Sequence, residues 1–151
     1  MKFGAVPVAD ALGAVLAHSL VAEKRIPKGT VLGQDHLAAL KDAGFQEVTV
    51  ARLEDADVDE DNAASKLAQA ILAGIEGIRA TGAGAGRVNL YAEHCGVMRI
   101  NSAIVHKINA IDPMITVATV PDFHRVDADG MIATIKIISY AVPAAALGAA
   151  T

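Results

Sequence analysis

From Val88 onward the chain is written in short strand-like runs: Val88 to Glu93, Val97 to Ile100, Ile115 to Val120 and Met131 to Ile138. β-Branched and apolar residues fill them and turn residues bound them, which is how strands rather than helices read. The turn His94-Cys95-Gly96, a helix from Ser102 to Ala110 with Ser102 as candidate N-cap, and a loop around Pro121 to Asp129 separate the runs. This half must therefore fold as a sheet-based layer. Hydrophobic residues make up 53% of the chain, yet it has no Trp, two Tyr and three Phe, so the layer must be filled with small aliphatic side chains. Strands packed by Ala-rich helices suit such a core. At 151 residues one domain with one core is expected.

The first half alternates between the two kinds of element. Val6 to Leu12 reads as a strand leading into a helical turn, and Val15 to Ala22 as a strand that the Pro27-Lys28-Gly29 turn folds into a hairpin. Gln34-Asp35-His36 opens a helix whose Leu37, Leu40 and Ala43 share a face, with Gly44 at the left-handed C-terminal cap. Glu47 to Arg52 then alternates as a strand. The acidic stretch Glu54 to Asp61 runs into Ala63, Ala64, Leu67, Ala68 and Ile71 at helical spacing. Carboxylates favour a helix N-terminus, and without the Gly and terminal Glu of a calcium loop they read as a solvated helix start. Ala141 to Thr151 reads as a linker or tail. The expected fold class is α/β of the mixed α+β kind: one β-rich domain over residues 1–140, with several short helices packed on mixed sheets.

Charge and spacing remove whole classes of function. The net charge is −4 and no segment gathers more than two adjacent basic residues, which argues against a nucleic-acid partner. No apolar run approaches the roughly 20 residues of a spanning helix, so no membrane is expected despite a mean hydropathy of +0.39. The surplus of apolar residues is expected to cover a subunit or domain interface, and a homo-oligomer is expected, a dimer being the simplest case. A single Cys95, read as a small buried thiol, and an N-terminus without signal-peptide character imply a cytoplasmic address. His18, His36, His94, His106 and His124 include no i, i+4 pair, so no metal site is expected.

The residues left with chemical potential are few. Thr81 to Arg87 carries glycines as G-x-G-x-G and runs into a strand, which excludes the dinucleotide fingerprint; the phosphate-binding P-loop pattern is missing as well. Either a flexible linker or an anion nest with Arg87 beside Gly84 and Gly86 remains. Lys136, alone in an apolar strand, must reach solvent by its stem or meet an anion. Alternation puts Thr116 and Thr119 on opposite faces of their strand, so only one of them belongs with a site. Nothing supplies an activated nucleophile or a paired acid and base, and the isolated chain is not expected to be catalytic.

One resemblance organises these residues. Gly86-Arg87-Val88-Asn89-Leu90, Ala92-Glu93, Gly96, Asn109, Asp112, Ile115-Thr116-Val117-Ala118-Thr119, Gly130-Met131, Ala133 to Ile138 and Ala141-Val142-Pro143 resemble the N-terminal half of bacterial molybdopterin-binding proteins. More loosely, Ala11 to His18, Lys28 to Leu32, Asp35-His36-Leu37, Leu40, Ala43-Gly44 and Val48-Thr49-Val50 look like segments shared with the molybdenum-inserting molybdopterin transferases. The resemblance implies a role in molybdenum cofactor biosynthesis. In that family a second α/β domain follows, with the loop for the pterin phosphate and an Asp for metal insertion. The implied function is a binding or assembly domain that contributes one wall of a cleft completed by another molybdopterin-binding domain or subunit. Its ligand would be molybdopterin or its nucleotide form, held by Arg87 and Lys136 on phosphate, with Asn89 and Thr116 or Thr119 as hydrogen-bonding groups and Gly84 and Gly86 in the loop. As an enzyme it would be only part of a molybdenumtransferase-like protein. The alternative is a structural homodimerisation module without a ligand.

Overall fold

In the computed structural model, which describes Met1–Thr151, two hydrophobic clusters divide the chain into a first unit, Met1–Asp55, and a second, Ala56–Thr151. Chain length predicts one core; the structure builds two. The fold is mixed α+β, and its ladders are antiparallel.

The first unit runs β1 (Lys2–Pro7), a 3-10 turn (Val8–Asp10), β2 (Val15–Leu16), β3 (Leu20–Val21), β4 (Arg25–Ile26), α1 (Gln34–Asp42) and β5 (Glu47–Arg52). Strand β5 lies between β1 and β2, with Val6 opposite Val48. Val48 and Val50 are buried with Leu16, Leu32, Leu37 and Leu40, each such side chain contributing about 1.5–3 kcal/mol of transfer free energy. At the start of α1 the Gly33 amide donates to His36 Nδ1 at 3.0 Å, so this histidine is a capping residue. At its end Gly44 takes a φ of +85°, and the Gly44 and Phe45 amides donate to the carbonyls of Lys41 and Leu40, the cap that its position predicts. The single strand expected from Val15 to Ala22 is two short ones, because the Ser19 hydroxyl accepts from the Lys28 amide and the chain turns there.

The second unit runs β6 (Asp57–Asp59), α2 (Glu60–Leu72), β7 (Ile78–Ala80), β8 (Arg87–Ala92), β9 (Gly96–Val97), α3 (Ser102–Ile111), β10 (Ile115–Thr119), β11 (Arg125–Val126), β12 (Met131–Ile137), β13 (Ala141–Pro143) and α4 (Ala144–Ala150). Its main sheet has the order β10-β12-β8-β7. Ala63, Ala64, Leu67 and Ala68 of α2 form one core with Val88, Leu90, Ile115, Ile135 and Ile137 of the sheet. Small Ala side chains let the helix approach closely, as a core without large aromatics requires.

Three expectations are corrected here. The strand expected over Val97 to Ile100 stops at Val97, because the Asp122 carboxylate takes the Ile100 amide at 2.8 Å. The N-cap of α3 is Asn101, whose side chain accepts from the Ile104 amide, and Ser102 is the first helical residue. Residues 141–151 are not a linker: β13 pairs with β6, and α4 buries Leu147 and Ala150 in the core. Ala has the highest helix propensity, and Pro143 immediately before the helix suits its start, so small residues that look featureless form a helix once a core accepts them.

Candidate functional site

Directly opposed residues of an antiparallel ladder share a face, and so do residues two apart on one strand. Register therefore sorts the second unit's main sheet into two surfaces. Thr116, Lys136 and Arg87 are opposed across β10, β12 and β8; Ala118, Thr134 and Asn89 form the next row. Tyr91 continues the row on β8 with Arg79 opposite on β7. The apolar residues between them, among them Val88, Leu90, Ile135 and Ile137, point to the other side and into the core with α2. One face is thus core, and the other is polar and half-buried to exposed.

This outer face carries a relay of hydrogen bonds. Arg87 Nη1 donates to the Thr134 hydroxyl at 3.3 Å, which donates in turn to Asn89 Oδ1 at 2.8 Å. Thr134 thus fixes both neighbours, leaving Asn89 Nδ2 and the remaining guanidinium N–H groups of Arg87 without a protein partner. Arg87 forms no ion pair with any acidic side chain. Along the face the Arg79 guanidinium lies 4.8 Å from the Tyr91 ring centroid and donates to Asp129 at 2.8 Å.

The glycine loop and Lys136 meet anions, and those anions belong to the protein. Ala85 and Gly86 both have positive φ, +49° and +69°, between Gly84 and Arg87, whose backbones exchange two hydrogen bonds at 3.1 Å. The loop is a tight two-residue hairpin turn, the geometry that positive φ at both central residues gives. The Gly86 amide donates to Asp61 Oδ1 at 2.6 Å. The Lys136 ammonium donates to the carbonyls of Ala85 and Ile137, both at 2.6 Å, and lies 3.6 Å from Glu60 Oε2. The acidic start of α2 is therefore not a solvated end: Asp59 caps the helix by accepting from the Asn62 amide, while Glu60 and Asp61, both half-buried, hold the loop. Burial pushes the Asp59 carboxyl upward, but hydrogen bonds from Asn62 outweigh it and keep the group below its ordinary value. Burial, joined by the Glu60 charge, raises the Tyr140 hydroxyl.

Of the residues singled out from the sequence, Arg87, Asn89, Thr116 and Lys136 share the outer face, and Gly84 and Gly86 build the turn at its edge. Thr119 stands apart: it is opposite Ala133 and lines an apolar cavity on the core side. Thr134, Tyr91 and Arg79 are site residues that the sequence reading missed. Parity could have found two of them, since Thr134 is two before Lys136 and Tyr91 is four after Arg87. Cys95 is exposed rather than buried, because the turn it occupies carries it out of the sheet. No group of three His, Cys, Asp or Glu side chains is placed to hold a metal ion, and no helix is long and apolar enough to cross a membrane.

A family model described as a domain of unknown function (DUF8806) is similar to residues 5–52, a match that lies within the first unit. No curated protein and no solved structure matches the chain.

Proposed function

We propose that the chain is a cytoplasmic binding and assembly domain whose outer sheet face forms one wall of a cleft, completed by another domain or subunit and closing on molybdopterin or its nucleotide form. The observation that carries this reading is Arg87: a guanidinium with no acidic partner, held by Thr134 beside Asn89 on a face that α2 leaves open. A planar fork of N–H donors suits a phosphate, and an open polar sheet face suits a flat, hydrogen-bonding ring. Tyr91 with Arg79 over its ring gives a planar surface further along the same face. Lys136 and the glycine turn enter as the parts that fix the edge of the wall, because their charges and amides are satisfied by Glu60 and Asp61. The ligand class comes from the family resemblance of the residues on β8, β10 and β12.

Titration of the chain with molybdopterin, alone and with a molybdopterin-binding domain added, tests the proposal. Saturable binding that weakens in Arg87→Ala supports it. Absence of binding under both conditions removes it.

A further inference from the structure

The core side of the second unit holds a cavity of about 620 Å³, between the sheet and α3. Ile71 and Ile75 form one wall, Val117 and Ile132 the floor, and Ile104 and Ile108 the other wall. Asn109 ties α3 to edge strand β10 by donating to the Val117 carbonyl at 2.9 Å and accepting from the Val117 amide at 2.7 Å, and of the helix only Ile108 is buried. Ile104 is left 52% exposed at the rim. A space of this size is in the range of small-molecule pockets and well beyond a packing defect.

The lining decides what kind of molecule fits. It contains no aromatic side chain, so it offers no ring for stacking and matches a flexible aliphatic chain instead. The charged side chains that line it are Arg99 and Lys107; no acidic side chain does, in a chain of net charge −4. Arg99 is held in place, 3.4 Å from Asp122 and stacked 4.2 Å from the Phe123 centroid. Lys107 makes no ion pair or side-chain hydrogen bond, and its ammonium is open to an anion.

We infer that this cavity binds an amphipathic carboxylate, with a linear aliphatic chain between α3 and the sheet and its carboxylate at Lys107. The site is on the opposite side of the sheet from Arg87 and does not rest on the proposed role of that residue.

Calorimetric titration of the full chain with decanoate, with decanol as the uncharged comparison, reads the inference. It predicts saturable one-to-one binding of decanoate, at least tenfold weaker binding of decanol, and at least tenfold weaker decanoate binding in Lys107→Glu. Lys107 is exposed, so its replacement leaves the fold intact. Ala149→Trp, which places an indole at an exposed lining position, is expected to abolish binding while the circular dichroism spectrum is unchanged. No saturable binding, equal affinity in Lys107→Glu, or a stable dimer in sedimentation that Ile104→Asp separates would each overturn it, the last because a second copy would then be the occupant.

Discussion

Gly86 is where conformation and contact coincide. Its φ is +69°, and a Cβ built there would lie 2.6 Å from Glu60 Oε2 and 2.8 Å from the Ile137 carbonyl. Gly86→Ala is expected to destabilise the second unit by about 2–4 kcal/mol, combining backbone strain with overpacking. Gly82→Ala, where a Cβ meets nothing within 4 Å, should stay within about 0.5 kcal/mol, and urea unfolding of the two variants compares them. Lys136→Met should cost about 1–3 kcal/mol by leaving the Ala85 and Ile137 carbonyls without their donor, read in the same way. The sequence poses the right question at Lys136, solvent or anion, but not the answer. The answering carboxylate, Glu60, lies 76 positions away (136 − 60), and no local pattern connects the two.

Among the elements, edge strand β10 shows how a side chain can substitute for a strand. The Asn109 amide meets both the N–H and the C=O of Val117, occupying edge groups that another chain could otherwise pair with. Asn109→Ala should destabilise by about 1–3 kcal/mol, while Asn109→Asp keeps the acceptor for the Val117 amide and loses the donor, and so falls between it and the parent in a denaturation series. Strands β8, β10 and β12 are legible in advance because alternating Val, Ile and Thr both favour a strand and sort its faces. Helices α1 and α2 are legible for the matching reason of helical spacing with recognisable ends. Strand β6 is hidden, since its Asp-Val-Asp has poor strand propensity and exists through pairing with β13. With β6 unseen, the segment that pairs with it and the helix after it look like a tail.

At the scale of the whole molecule, two cores predict two sets of protection. In hydrogen exchange, Leu40→Ala should open amides of Met1–Asp55 and Ile135→Ala those of Ala56–Thr151, each for a loss of about 2–5 kcal/mol in its own unit. Acid acts on both units. Glu54 is held below its ordinary value first by its hydrogen bond from the N-terminal amine, and Asp122 first by its hydrogen bond from the Ile100 amide. A carboxyl lowered in the folded state contributes stability that is full above its unfolded value and is lost as pH falls through the folded one. The urea midpoint should therefore be insensitive to these groups above about pH 5 and decline below about pH 4. The chain's length pointed to a single core because length bounds the amount of interior and not its partition, whereas the fold class followed from element types that local sequence does encode.

The most direct measurement is the affinity of the chain for molybdopterin before and after Arg87→Ala, with the completing domain present in both titrations. Loss of a charged hydrogen bond of about 1.5–3 kcal/mol predicts binding weaker by roughly tenfold to a hundredfold, with the unfolding midpoint preserved. Equal affinity of the two proteins would contradict the account, since the open guanidinium on the sheet would then not be where the ligand is held.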